Sequence, residues 1–99
     1  MLQAIAFCVD ERDIVTTFEG ASLVRVYQKC RGTWEVAREF PLIRDVGALG
    51  ATLADCLALV GDEIGSRIRL DLERLGLQVW ELPGEPCELA ELVWREEAA

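Results

Sequence analysis

Four cysteines, Cys8, Cys30, Cys56 and Cys87, and no histidine set the chemistry open to this chain. Thiolates are soft metal ligands and nucleophiles, while imidazole is the commonest neutral-pH acid/base and metal ligand. Without imidazole the cysteines are the only soft donors, and a nucleophilic triad lacks its usual base. Their spacing is wide and irregular, with no C-x-x-C pair, so it spells out no preformed zinc or redox site. Cys87 follows Pro86 in the first turn of an expected helix, where the helix dipole lowers a thiol's pKa. That position makes it the best candidate for a reactive or cluster-binding thiolate. Cys56, where a buried strand begins, and Cys30, at a strand end beside Trp34, are the secondary candidates. Cys8 lies mid-strand and is expected to be buried and inert. For each thiol the competing reading is a small core hydrophobe, which is the commoner fate of free cysteine in a reducing compartment.

Two further groups of residues carry possible chemistry. Gly61 and Gly65 frame a strand-to-helix loop, the place where α/β sheets bind ligands and helix N-termini attract anions. Read functionally, the loop cradles an anionic cluster or a phosphate; Asp62 and Glu63 inside it argue for a tight turn instead. Asp10 follows the first strand, and Asp62 and Glu63 follow a later one. If those strands are parallel neighbours, the three carboxylates meet at one sheet edge, as in magnesium-dependent nucleases. A nuclease also needs a positive path for its substrate, and this chain has eighteen acidic residues against ten basic ones. Its formal charge of −8 disfavours nucleic acid and anionic membrane surfaces.

The elements that must position these residues can be read from the apolar pattern. With 52% hydrophobic and 28% charged residues, the chain is globular, and its 99 residues make one domain spanning 1–99. No apolar run approaches the roughly twenty residues of a membrane-spanning helix, and the N-terminus has no signal-peptide pattern, so a cytoplasmic protein is expected. Residues 3–9 are nearly all apolar and end at Asp10-Glu11-Arg12-Asp13, which suggests a central strand buried on both faces. Residues 14–18, 22–30 and 34–40 are three more strand-like runs. A three-residue loop at Arg31-Gly32-Thr33 sets Lys29 against Glu35 and Arg25 against Glu39. That register places Trp34, Val36 and Phe40 on the face of Val24, Val26 and Cys30.

Beyond Pro41 the period changes. Asp45 caps a helix starting near Val46, with Leu49 and Leu53 on one face. The run 56–60 can continue that helix or form a buried strand; Asp55 before it and Gly61 after it favour the strand. Ser66 is the expected cap of a second helix, with Ile64, Ile68, Leu72 and Leu75 as its stripe and Gly76 as its stop. Arg67/Asp71 and Arg69/Glu73 are i, i+4 pairs on its outer side. Residues 77–82 form a strand, and Pro86 opens a last helix whose Trp94, beside Leu92 and Val93, is a candidate protein anchor. Four strands followed by helix, strand, helix, strand, helix predict an α/β fold of ribonuclease H-like topology, a mixed sheet with packed helices.

Three stretches, AIAFCVDERDIVTTFEGASLVRVYQK, GTWEVAREFPL and DCLALVGDEIGSRIRLDLERLGLQVWELPGEP, in this order and spacing resemble the N-terminal part of the iron-only nitrogenase accessory protein family, AnfO. The resemblance covers nearly the whole chain. More distantly, the LVGDEIGSR and LERLGLQV segments are similar to dinitrogenase iron-molybdenum cofactor-binding domains, which have a ribonuclease H-like motif. The resemblance implies a non-enzymatic accessory role that assists assembly or cofactor handling of nitrogenase, with nitrogenase or its assembly proteins as partners. The alternative it implies is a carrier of an iron-containing nitrogenase cluster; in this chain, which lacks histidine, the thiolates Cys87, Cys56 and Cys30 are the residues that could hold it and Gly61 and Gly65 those that could cradle it. A magnesium-dependent nuclease using Asp10, Asp62 and Glu63 is the third reading.

Overall fold

The computed structural model describes residues 3–98. Its elements run β1 (Ala4–Val9), β2 (Leu23–Cys30), β3 (Thr33–Pro41), α1 (Val46–Thr52), β4 (Ala58–Gly61), α2 (Ser66–Arg74), β5 (Gln78–Glu81) and α3 (Pro86–Ala98). The five strands form one mixed sheet in the order β3-β2-β1-β4-β5. β1 is central, antiparallel to β2 and parallel to β4, and β4 is parallel to β5. The charge-free sequence AIAFCV explains the position of β1: five of its six residues are buried, so it needs apolar cover on both faces.

That cover comes from different helices on the two faces. Ala6, Cys8, Val24, Val26 and Leu59 pack with Leu49 and Leu53 beside α1 and Leu72 of α2. Ile5, Phe7, Val9, Tyr27 and Val60 pack with Leu89, Ala90 and Val93 of α3. The alternation along β1 assigns odd residues to the α3 side and even residues to the α1/α2 side.

Several expectations hold in detail. The Asp45 side chain caps α1, accepting from Ala48 N–H at 3.2 Å. The ambiguous run after Cys56 becomes strand β4, since α1 has already ended at Thr52. Gly76 takes φ +91° just past α2, the left-handed conformation that ends a helix. Arg69–Glu73 forms at 3.9 Å, but Asp71 meets Arg74 at 3.8 Å in place of Arg67.

Other expectations are corrected. Residues 14–18 form no strand: the segment makes one isolated bridge, Val9 to Val15, and then crosses the end of the sheet. Its backbone is used there, with Thr16 N–H on Cys8 O (2.9 Å), Phe18 N–H on Glu63 O (2.8 Å) and Asp62 N–H on Thr16 O (2.9 Å). A β-branched run thus satisfies its hydrogen bonds as a strap tying β1 to β4 rather than as a fifth ladder. The cap of α2 is Gly65 (φ +93°), and Ser66 is already inside the helix. Leu75 is the C-cap of α2 and 57% exposed, so the apolar stripe stops at Leu72.

The hairpin register is half as expected. Arg25 faces Glu39 and Val24 faces Phe40, but Lys29 faces Trp34 and Gln28 faces Glu35. The shift lies between Val26 and Tyr27, where Ala37 is the extra residue of a β-bulge. Near the turn, Arg31 (φ +53°) and Gly32 (φ +84°) form a two-residue connection of the kind that needs positive φ twice. One inserted residue turns every side chain on the turn side of it to the opposite face. Trp34 therefore lies on the α3 side, away from Val24 and Val26, and Glu35 has no partner in Lys29.

Candidate functional site

The carboxyl edge of the parallel strands is where a ligand was expected, and the chain fills it with itself. β1 and β4 are parallel neighbours, so Asp10 and the 61–65 loop do share that edge. A Cβ on Gly61 would stand 2.9 Å from Ile64 Cγ1 and 3.5 Å from the Thr16 carbonyl, so glycine there serves close packing of the strap. The amide of Ile64, before α2, donates to Glu81 Oε2 at 2.9 Å, and Arg69 donates to Glu81 Oε1 at 2.8 Å. The Ile64 and Gly65 amides, with Arg69, hold the Glu81 carboxyl below its ordinary range. The helix terminus thus already has an anion, supplied by β5. Asp10 Oδ1 accepts from the amides of Arg12 (2.8 Å) and Ile14 (3.1 Å), which shapes its own turn. Among the described residues, no three Cys, Asp or Glu side chains gather as a metal site.

The three candidate thiols stay apart in kind and place. Cys56 is buried beside α1, with Arg38 Nη2 3.9 Å and Asp55 Oδ1 3.7 Å from its sulfur. Burial, helped by the Asp55 charge, pushes its pKa up to about 11. Cys87 is exposed on α3, on the other side of the sheet, and its thiol points at the Trp34 carbonyl at 4.0 Å. The helix dipole was expected to lower its pKa. Instead partial burial, then Asp13 and Glu85, raise it, because those two acids line the same shallow hollow of about 250 Å³. Cys30 is exposed at the hairpin turn, where Thr33 Oγ1 donates to its carbonyl. Cys8 is fully buried and pushed up to about 12 by desolvation, an inert core thiol as expected.

Three polar clusters went beyond the sequence reading, which had foreseen only the Arg25–Glu39 pair among their contacts. Tyr27 OH donates to Asp13 Oδ2 at 2.5 Å, while Arg25 bridges Asp13 Oδ1 and Glu39 Oε2, each at 2.8 Å. Asp13 (φ +62°) holds the strap in this way. On the same face Glu91 accepts from Trp34 Nε1 (2.8 Å), Lys29 Nζ (3.3 Å) and Arg95 Nε (3.1 Å). These donors keep its carboxyl below the ordinary range. The Lys29 ammonium sits 3.7 Å from the Trp94 ring centre, so Trp94 is a half-buried cation–π partner of the sheet rather than a free anchor. Leu92 alone of that trio is exposed, at 45%. Arg38 ties β3 to the end of α1 through Thr52 O (3.0 Å) and Asp55 (2.6 Å). Trp34, Lys29 and Glu91 meet only because of the bulge, for which the sequence carries no local signal.

Fold and clusters together define a small single-domain α/β protein with a mixed five-strand sheet, whose described polar clusters tie its elements together. The particular family follows from the whole sequence: a family model for the iron-only nitrogenase protein AnfO matches residues 4–99, and the chain belongs to that family of nitrogenase-associated accessory proteins. No curated protein matches the sequence. The crystal structure of PH0822 is similar, with a TM-score of 0.69 at 15% identity over 94% of this chain and 91% of that one, a likeness of fold alone. Among the described residues, no helix is long and apolar enough to cross a membrane.

Proposed function

We propose that this protein is a non-enzymatic accessory to the iron-only nitrogenase, helping assembly or cofactor handling by contacting the enzyme's proteins in the cytoplasm. The observation that carries this reading is the family match over residues 4–99. The strand order β3-β2-β1-β4-β5 is compatible with the ribonuclease H-like motif of the cofactor-binding domains that the sequence resembles. The donor set does not suit a cluster. Cys56 and Cys87 lie on opposite sides of the sheet with raised pKa values, the cradle loop is packed against Glu81, and the chain carries −8. A contact-mediated role asks nothing of those thiols. It also fits poorly with nucleic acid as a partner.

The test is anaerobic mixing of the protein with the purified apo and holo catalytic component of an iron-only nitrogenase, and separately with extracted cofactor. Gel filtration and metal analysis then follow each mixture. Co-elution with the protein component, and no iron retained by the accessory alone, is expected. Stoichiometric iron held by the isolated protein and lost in Cys87→Ser would replace this reading with the cluster-carrier one.

A further inference from the structure

A depression on the face of the sheet covered by α1 includes Arg38 and Asp55, the two side chains beside the Cys56 sulfur, but none of the thiols considered for cluster binding. It has a volume of about 390 Å³ and lies on the α1 side of the sheet, the side to which Ala4 and Val26 belong. Its floor is small and apolar: Ala4, Val26 and Ala37, the extra residue of the bulge. Gln28 lines it with an amide, and Arg38 and Asp55 line it with a cation and an anion side by side. The bulge brings Ala37 and Arg38 into the lining of this depression, and bulges commonly re-aim side chains in this way.

The donors and acceptors there are only partly used. Arg38 makes its contacts with Thr52 O, Asp55 Oδ1 and the Cys56 sulfur all through Nη2. Among the described residues, Nε and Nη1 have no partner, and neither has Asp55 Oδ2. A ligand completing this pair needs an acceptor for the guanidinium and a donor for the carboxylate, a few bonds apart. A plain carboxylate meets Asp55 and a net charge of −8, and a plain amine meets Arg38. A ligand with both charges and no net charge avoids both penalties.

We propose that this depression binds a small zwitterion of the α-amino-acid class, its carboxylate on Arg38, its ammonium on Asp55 and its short side chain on the Ala4–Val26–Ala37 floor. The site is independent of the accessory role. The volume of about 390 Å³ leaves ample room for so small a ligand.

The test is a ¹⁵N-resolved NMR titration of the full chain with L-alanine, with acetate and methylamine as separate probes. L-Alanine is expected to give saturable shifts at Ala4, Gln28, Ala37 and the Arg38 side chain at roughly millimolar concentration, as so small a ligand allows. Acetate and methylamine should not saturate over the same range. Asp55→Asn should weaken L-alanine about tenfold, the worth of one charge-assisted hydrogen bond, and let acetate in. Ala37→Leu, which fills the floor without touching the ion pair, should abolish binding. The proposal is overturned by an absence of saturable shifts, by acetate binding as well as L-alanine, or by unchanged binding in Ala37→Leu.

Discussion

Replacing Tyr27 with phenylalanine isolates one hydrogen bond at a place where its worth can be calculated. The ring is 4% exposed and stands edge-on to Phe7, with centroids 5.6 Å apart at 89°. Phenylalanine keeps that packing and removes only the hydroxyl that donates to Asp13 Oδ2. A hydrogen bond to an ionised acceptor contributes about 1.5–3 kcal/mol. Asp13 keeps its ion pair with Arg25 at 2.8 Å although its Oδ1 makes no well-aligned hydrogen bond, and we expect about 2 kcal/mol at pH 7, inside that range. In a domain of this size that is roughly 8–16 °C in Tm.

The alkaline limb is the sharper half of the prediction. Burial, then the hydrogen bond to Asp13, raise the Tyr27 pKa well above its ordinary value. A group whose folded pKa is raised contributes stability below its unfolded pKa and loses it as pH climbs toward the folded value. For tyrosine the loss begins at about pH 10, with a slope approaching 1.4 kcal/mol per pH unit. Urea unfolding of Tyr27→Phe and wild type at pH 7 and from pH 9 to 12 should therefore show the gap closing as pH rises. Cys8 and Cys56 titrate in the same range in both proteins and cancel in the difference. Tyr27 is the sole tyrosine, so tyrosinate absorbance of the native protein reports this group alone. A gap unchanged between pH 7 and 12, or tyrosinate appearing near pH 10 while the protein is still folded, would refute the argument.

Three more outcomes follow from single sites. Leu72→Ala, at a fully buried position joining α2 to the sheet, should cost about 3 kcal/mol in chemical unfolding. Gly50→Ala should be neutral or stabilising by about 0.5 kcal/mol: the new Cβ meets the Leu75 side chain, close only at its Cδ1 methyl (2.5 Å) with Cβ and Cγ at 3.6 Å, Leu75 is 57% exposed and can move that methyl outward, and helix propensity favours alanine. Glu91→Gln should alter tryptophan emission through Trp34 and Trp94. It should also remove a stability loss that wild type shows as pH falls through the lowered Glu91 pKa, since a depressed carboxylate stabilises only above that point. Equal acid limbs for the two proteins would discount the Lys29–Glu91–Trp34 cluster.

What the sequence determined by itself is the part dictated by local pattern. AIAFCV belonged at the centre because it is a continuous apolar run with no charged residue to face water on either side, Asp45 could cap α1, and Gly76 could end α2. The alternation of β2 sorted Val24 and Val26 from Arg25 correctly, and the Arg25–Glu39 pairing followed from charge. The absence of histidine and the scatter of the cysteines were legible at once. The tertiary structure decided the rest, because it rests on backbone positions that side-chain patterns do not encode. A bulge at Ala37 carried Trp34 to the α3 side and so created the Lys29–Glu91–Trp94 cluster. Residues 14–18 look like a strand, yet the sheet already had its neighbours for β1, so they became a strap over the edge. Glu81, a strand-end glutamate without distinction in the sequence, reached the amides before α2 and filled the place that Gly61 and Gly65 had suggested for a ligand. Nor can sequence show that Cys87 is partly buried with Asp13 and Glu85 beside it, and that burial first, then those two charges, raise its pKa where the helix position alone suggested a lowered one.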